Sequence, residues 1–217
     1  MNVETFHCGD EDLDDFIVHE ANFYGVARIA VTYIVMDCQE NNKVVAYFSL
    51  ANDKLSVSDF SSNSEFNRFR KHRFVHEKRL RSYPAVKLCR LGVSNALRGT
   101  GIGSILLSFM IRLYSRCSRA GCRFITVDAY QSAVPFYAKN DFLPLSNRDT
   151  SSYTRMMYFD LGTMADDGED AIISRKMYQF KQEKKGTNHP FSLACFIYFS
   201  NYSPFSLLIP TFLCTFA

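Results

Sequence analysis

A glycine-rich turn between a strand-like run and an amphipathic helix constrains this chain more than any other feature. The turn runs from Arg98 to Gly103 with the sequence Arg-Gly-Thr-Gly-Ile-Gly. Glycines let backbone N–H groups approach an anion closely, and the first turn of a helix offers unpaired donors at the positive end of its dipole. The turn therefore predicts a site for a phosphate or pyrophosphate. The alternative is a tight turn that binds nothing.

The spacing of these glycines argues against two familiar phosphate loops. The pattern Gly-x-Gly-x-Gly is neither the Gly-x-Gly-x-x-Gly of dinucleotide-binding folds nor a loop that ends in Gly-Lys-Ser/Thr. Its context is informative, because Ala85 to Val93 precedes it as a strand whose apolar phase switches between Leu88 and Cys89. We expect a β-bulge at that switch.

The apolar periodicity predicts the order α, β, β, insert, β, α, β, α, β along about 165 residues. Asp10 is expected to cap the first helix. The remaining expected elements are a helix with apolar positions from Leu13 to Tyr24, strands at 30–36, 44–50 and 85–93, a helix from Ile102 to the region of Gly121, a strand at 124–127, a helix at 133–140 and a strand at 156–161. This order predicts one α/β (α+β layered) domain.

Composition adds a few limits to this interpretation. The 217 residues are 47% hydrophobic and 22% charged, as in ordinary globular chains. The acidic start is unlike a secretory signal, so we expect a cytoplasmic protein with no membrane partner. Seven scattered cysteines without a Cys-x-x-Cys pair predict reduced thiols and no metal site. His72 and His76 have no third ligand nearby and are interpreted as surface residues.

The segment from Arg68 to Arg90 is strongly basic, although the formal net charge of the whole chain is only +3. Such a segment positions RNA phosphates or forms an ordinary solvated surface, and the sequence leaves both interpretations open. Its nine basic residues, against the single acid Glu77, are Arg68, Arg70, Lys71, Arg73, Lys78, Arg79, Arg81, Lys87 and Arg90.

The end of the chain differs chemically from the rest, because no Lys, Arg, Asp or Glu follows Lys185. We therefore divide the chain into a domain at 1–165, a charged linker or extension at 166–185 and an uncharged apolar tail at 186–217. The tail is a poor membrane anchor, a partner-binding segment, or peptide that was never selected to fold. Its lack of helical or alternating periodicity favours the third interpretation.

Two motifs together resemble the GNAT superfamily of acetyltransferases. Arg98-x-x-Gly101-x-Gly103, behind Leu91-Gly92-Val93, is similar to its Gln/Arg-x-x-Gly-x-Gly/Ala coenzyme A motif. Val127 to Phe142 is similar to the strand and helix that carry its Phe-Tyr-x-x-x-Gly-Phe segment. The resemblance covers about residues 4–161. It implies a GNAT fold, with a mixed central β-sheet of about six to seven strands flanked by helices and a splayed strand at the acetyl-CoA site.

Within that superfamily the chain most resembles the toxins of bacterial toxin–antitoxin pairs. The segments that carry this likeness are Phe6 to Phe16, Ala46 to Leu50 and Pro84 to Val93. The resemblance implies acetylation of the α-amino group of aminoacyl-tRNA, and a small DNA-binding antitoxin as partner. A homodimer is left open. Two further functions also stay open: a peptide or small-amine N-acetyltransferase, and a non-catalytic coenzyme A-binding module.

The resemblance also implies roles for individual residues. Tyr137 would face the departing sulfur, either as an acidified proton donor or only as a hydrogen-bond donor. Asp141 and Gln131 depart from the family pattern, which usually has Gly and Asn there, and Asp tolerates left-handed backbone. The expected acetyl-CoA contacts are Leu91, Gly92, Val93, Arg98, Gly99, Thr100, Gly101, Ile102, Gly103 and Gln131, and the expected acceptor contacts are Arg79, Arg81 and Arg90.

Overall fold

The computed structural model describes residues 3–37, 40–71, 73–74, 80–116, 120–164 and 195–198. The helices are α1 (Glu11–Asp15), α2 (Ala21–Val26), α3 (Asn63–Lys71), α4 (Ile102–Arg116) and α5 (Val134–Lys139). The strands are β1 (Val31–Asp37), β2 (Lys43–Ser56), β3 (Ser82–Val93), β4 (Phe124–Tyr130), β5 (Leu143–Pro144), β6 (Thr154–Asp160) and β7 (Cys195–Tyr198). This is the predicted mixed α/β architecture.

The chain divides into two compact units, and each unit contains part of the sheet. The first unit comprises residues 1–51, 89–106 and 170–217, and the second comprises 52–88 and 107–169. Strands β2 and β3 contribute residues to both. The strand order is β3-β2-β1-β7 in the first unit and β5-β6-β4-β3 in the second. The pairs β1–β2, β1–β7, β4–β6 and β5–β6 are antiparallel, and the pair β3–β4 is parallel.

The core of the first unit forms where the N-terminal helices meet β1 and β2. Asp10 caps α1 as predicted, because its carboxylate accepts hydrogen bonds from the N–H groups of Asp12 and Leu13. A π-helical turn at Phe16–Glu20 joins α1 to α2, where the sequence predicts one continuous helix. The core residues are Phe6, Cys8, Phe16, Ile17, Ala21, Ile34, Met36, Val44 and Tyr47.

The core of the second unit is unusually aromatic and lies under α3. The sequence predicts no element inside the basic insert, so α3 is a correction. Phe66 and Phe69 are buried on one side of α3, while Arg68 and Lys71 are exposed on the other. The remaining core residues are Leu55, Phe60, Tyr83, Ala85, Phe124, Leu145 and Tyr158.

The parallel pairing of β3 with β4 covers Ala85–Leu88 and Phe124–Val127. It therefore reaches the residue at which the apolar phase of β3 switches. The bulge expected there stays a prediction, whereas β1 has a register shift between Val35 and Met36. Among the described helices, none combines the length and apolar character needed to cross a membrane.

Candidate functional site

The glycine turn has the backbone conformation that an anion cradle requires. Gly99 and Gly101 have φ values of 74° and 86°, a region that L side chains rarely adopt. Gly101 accepts the hydrogen bond from the N–H of Ile105, so the following N–H groups open the first turn of α4. Ile102, Gly103 and Ser104 thus have no intrahelical acceptor. A Cβ at Gly99 would meet no atom within 4 Å, which leaves the turn open to a ligand.

The turn is held from two sides. Within it, the Thr100 hydroxyl donates to the carbonyl of Leu97 at 2.6 Å. From the N-terminal segment, the Arg98 guanidinium donates to the carbonyl of Cys8. In addition, the N–H of Asn95 donates to the carbonyl of His7 at 3.1 Å. Arg98 therefore supports the turn, and its contact with a phosphate stays a prediction.

Asp14 in turn fixes the segment that supports the turn. Its carboxylate accepts from the N–H of Cys8 at 2.8 Å and lies 2.5 Å from Nδ1 of His7. Burial acts to raise the pKa of the Asp14 carboxyl, but its hydrogen bonds with Cys8 and His7 outweigh this and lower it. Burial raises the pKa of the Cys8 thiol to about 11, so this cysteine is a neutral packing residue at physiological pH.

The end of β3 is packed tightly against Tyr47. A Cβ on Gly92 would lie 2.6 Å from Cε1 of Tyr47 and 3.2 Å from Cζ of Phe6, so only glycine fits without movement. Tyr47 is completely buried and donates its hydroxyl to the carbonyl of Leu13 at 2.6 Å. The N–H of Ser94 donates to the carbonyl of Val45 at 2.9 Å. These contacts fix the backbone of Leu91, Gly92 and Val93.

The three arginines expected to contact the acceptor have different surroundings. Arg90 lies over the ring of Phe16 at 5.1 Å, with its Nε 3.5 Å from a carboxylate oxygen of Asp12. It therefore joins β3 to the first helix. Arg81 is exposed on the second unit, and Arg79 lies outside the described residues. The binding roles of all three stay predictions.

Tyr137 belongs to α5 in the second unit and is buried between two aromatic rings. The ring centroids of Phe136 and Phe142 lie 5.1 Å and 5.6 Å from that of Tyr137. Burial raises the pKa of the Tyr137 phenol to about 12. The helix ends at Lys139, and Asp141 two residues later has a φ of 67°, the left-handed conformation expected there. The N–H of Phe142 donates to the Tyr137 carbonyl at 3.1 Å, which closes the turn.

Gln131, expected to contact the coenzyme, organises the loop before β6. Its Nε2 donates to the carbonyl of Ser152 at 2.9 Å, with the carbonyls of Asp149 and Thr150 each at 3.3 Å. A coenzyme contact through this residue stays a prediction.

A polar strip on one face of β4 was not predicted from the sequence. The Lys87 ammonium donates to the carboxylate of Asp128, and the hydroxyl of Thr126 donates to Asp53 at 2.5 Å. Thr126 and Asp128 are two residues apart and so share a face of the strand. The alternation of polar and apolar residues from Thr126 to Tyr130 is the sequence pattern that could have predicted this strip. The described residues contain no group of three or more metal-ligating side chains.

Comparison with known families identifies this arrangement. Residues 71–158 match the family described as "Acetyltransferase (GNAT) domain". Residues 71–158 therefore belong to a GNAT acetyltransferase domain. Its acyl donor is acetyl-CoA, as predicted, and its reaction is N-acetyl transfer. None of the curated proteins matches the chain in sequence.

Solved structures support the same fold. A tyrosine-to-phenylalanine mutant of KacT has a TM-score of 0.62 and 18% identity, over 75% of this chain and 89% of that one. AtaT complexed with acetyl-methionyl-tRNA has a TM-score of 0.61 and 21% identity, over 75% and 89%. A mutant AtaT toxin bound to the C-terminus of antitoxin AtaR and acetyl-CoA has a TM-score of 0.57 and 20% identity, over 75% of this chain and 88% of that one. The predicted GNAT fold is confirmed.

Proposed function

We propose that this GNAT domain transfers the acetyl group to the α-amino group of an aminoacyl-tRNA. The observation that carries the proposal is the exposed basic surface of the second unit. Arg68 and Lys71 lie on the solvent side of α3, and Arg81 is exposed just before β3. Lysine and arginine supply most contacts with nucleic-acid phosphates. The similarity to AtaT, which was solved with acetyl-methionyl-tRNA, is in accord with this acceptor.

The acidity of the acceptor amine favours the same choice. An α-amino group has a pKa of roughly 7.7–8, so about one molecule in ten is neutral at pH 7, against about one in a few thousand for lysine. A lysine acceptor therefore needs a general base far more. Two carboxylates of the second unit, on Asp53 and Asp128, already accept hydrogen bonds from Thr126 and Lys87. An acceptor amine that is partly neutral in solution suits a site whose carboxylates are already engaged in hydrogen bonds.

On the donor side, the turn from Gly99 to Gly103 would bind the pyrophosphate of the coenzyme. The positive end of α4 and its unpaired N–H groups complement that charge. Bound acetyl-CoA supplies a thioester that the amine attacks directly. Backbone N–H groups of Leu91 to Val93 would donate to the thioester oxygen as negative charge develops there. The contact of Gly92 with Tyr47 holds this part of the backbone rigid.

Burial supports one of the two roles considered for Tyr137 over the other. A phenol pKa of about 12 lies far above the roughly 8.5 of a thiol, so full proton transfer to the leaving sulfur would cost about 5 kcal/mol. Tyr137 therefore acts as a hydrogen-bond donor that stabilises the leaving sulfur. This role depends on the hydroxyl and not on ionisation of the ring.

The test is a comparison of acceptors with acetyl-CoA as donor. Charged tRNA should become acetylated, and the product should be detected as N-acetylaminoacyl-tRNA. Free lysine peptides and small amines should react much more slowly. Turnover of peptides alone would favour the second candidate function, and binding of acetyl-CoA without turnover of any amine would favour the coenzyme-binding module.

A matched pair of variants tests the donor site separately. Gly101→Ala and Gly101→Glu both place a side chain at a φ of 86°, but only Glu adds negative charge. Coenzyme affinity should fall for both variants and much further for Glu, because its carboxylate repels the pyrophosphate. Equal affinities for the two variants would place the pyrophosphate elsewhere.

We further propose that a small DNA-binding antitoxin neutralises this activity, as AtaT was solved with the C-terminus of AtaR. Expression of the wild type in a bacterial host should arrest growth. Co-expression of a small DNA-binding protein that is encoded by a neighbouring gene should restore growth. Tyr137→Phe should not arrest growth. Normal growth with active, folded enzyme would contradict the toxin assignment.

A further inference from the structure

Two tyrosines form an exposed aromatic pair at the end of β4. Tyr130 is 37% exposed and Tyr153 is 81% exposed, although both are large aromatic residues. Their rings meet edge to face, with centroids 5.2 Å apart and planes at 61°. Both belong to the second unit. Such a pair presents a ring face to solvent at a fixed orientation, which is the geometry of a stacking surface.

The loop that carries Tyr153 is rigidly held. The N–H of Gln131 donates to the carbonyl of Tyr153 at 3.3 Å, and the Gln131 amide donates to that of Ser152. Inside the loop, the Asp149 carboxylate accepts from the N–H of Met156 at 2.5 Å. The N–H of Ser152 also donates to the Asp149 carbonyl at 3.1 Å. The exposed ring therefore projects from a backbone that is already ordered.

A polar pair lies next to this aromatic pair on the same face of β4. Asp128 precedes Tyr130 by two residues, so their Cα atoms are about 7 Å apart along the strand. The Asp128 carboxylate accepts from the Lys87 ammonium. The strand thus presents charged groups and then a stacking surface. A ligand that matches this spatial order of groups along β4 has a planar ring joined through a short linker to a charged or polar group.

We propose that the Tyr130–Tyr153 pair stacks the terminal adenine of the aminoacyl-tRNA acceptor. An aminoacyl ester joins its amine to that adenine through one ribose, which is the arrangement just described. Aromatic side chains stack on exposed bases of single-stranded RNA ends. The exposed cations of the same unit, including Arg68, Lys71 and Lys139, suit the phosphates that follow. This inference rests on the proposed tRNA function and names the group that the acceptor site recognises.

The experiment measures binding and turnover separately in three variants. Tyr153→Ala removes the ring, Tyr153→Trp keeps a stacking face, and Phe23→Ala is the matched control because Phe23 is an exposed aromatic of the first unit. The dissociation constant for charged tRNA and the KM for charged tRNA should both rise about tenfold in Tyr153→Ala. Both should stay within twofold of wild type in Tyr153→Trp and Phe23→Ala. The KM for acetyl-CoA should not change in any variant.

Each other outcome has a definite meaning. If Tyr153→Ala acetylates charged tRNA and binds it as tightly as wild type does, the stacking inference is overturned and the proposed function stays intact. A raised KM for acetyl-CoA in that variant would assign the surface to the adenine of the coenzyme and also overturn it. If no aminoacyl-tRNA is acetylated, a Tyr153-dependent dissociation constant for charged tRNA would still support the surface, while the proposed function would fail.

Discussion

At the scale of single residues, the role proposed for Tyr137 requires a phenol that stays neutral. Tyr137 is surrounded by Phe136 and Phe142, and this apolar environment disfavours the phenolate. The same surroundings strengthen a hydrogen bond to a developing negative charge, because little water competes for it. Burial therefore weakens Tyr137 as a proton donor and improves it as a hydrogen-bond donor.

Tyr137→Phe should lower kcat roughly 10- to 100-fold, the loss expected when one hydrogen bond to a charged group is removed. The KM for acetyl-CoA should hardly change, since the phenyl ring keeps its packing. Because the Tyr137 pKa is raised to about 12, this residue should give no ionisation below pH 10. A steady-state pH profile of wild type and variant checks this. Loss of an alkaline limb between pH 8 and 10 in the variant alone would indicate an acidified phenol.

A second prediction concerns Gly92, where the missing side chain decides the packing. Gly92→Ala places a methyl group against the Tyr47 ring and should destabilise the fold by roughly 1–3 kcal/mol, the usual cost of overpacking a core. Gly121→Ala is the control, because a Cβ there meets no atom within 4 Å. Denaturant unfolding measures both. Equal stability of the two variants would mean that Tyr47 moves aside without cost.

Residue-scale predictions from sequence succeeded where the physics is local. The Asp10 cap and the left-handed Asp141 follow from side chains acting on their own backbone. The anchor between Arg98 and Cys8 joins residues 90 positions apart, and no periodicity encodes such a pair. The same holds for Gly92, whose requirement for glycine comes from Tyr47 on another strand. Whether a glycine serves a ligand or a neighbouring ring is therefore undecided until the fold is known.

At the scale of elements, α3 shows how a charged segment can conceal a helix. Its many basic residues mask Phe66 and Phe69, which lie three apart on its buried side. The chain after α3 is secured by Arg73, which donates to Asp160 at 3.2 Å and to the Tyr158 hydroxyl at 2.6 Å. Arg123 lies 2.7 Å from the same carboxylate. The partners are more than 30 residues apart, so the sequence gives the insert no visible anchor.

Removal of that carboxylate should release the end of α3. Asp160→Asn leaves Arg73 and Arg123 without their shared anion, and should destabilise the fold by roughly 1–3 kcal/mol, the cost of losing a charged hydrogen-bond acceptor in a partly buried network. Glu40→Gln is the matched control, because its pair with Lys43 is exposed and should be worth under about 1 kcal/mol. Thermal and urea unfolding test both changes. If Asp160→Asn loses no more unfolding free energy than Glu40→Gln does, the aromatic core alone holds the insert.

At the scale of the whole molecule, the order of elements up to residue 165 was predictable apart from α3 and the two-residue β5, and the limits of the elements were less so. Each apolar period belongs to one helix or strand, so the order could be read directly. By contrast, β2 extends six residues beyond its expected end at Leu50, and the three successive polar residues from Asn52 to Lys54 hide this extension in the sequence. The assignment of 1–165 as the domain stays a prediction. Of the side chains that the structure describes, the buried hydrophobic ones all lie between Phe6 and Leu161.

A pair of truncations tests that assignment. The backbone of β7 pairs with residues Tyr33 to Met36 of β1. Removal of 199–217 keeps β7, whereas removal of 186–217 also deletes it. Both truncated chains should unfold cooperatively and bind acetyl-CoA within twofold of the full chain, because both keep the described core and the glycine turn.

The two truncations should differ only in how they associate. Without β7, one side of β1 loses the partner strand that satisfies its backbone N–H and C=O groups, and such an edge pairs readily with another chain. The shorter protein should therefore show concentration-dependent association by analytical ultracentrifugation, and the longer one should not. If the shorter chain instead loses cooperative unfolding while the longer one keeps it, β7 is an integral strand of the fold and the domain boundary at residue 165 is wrong.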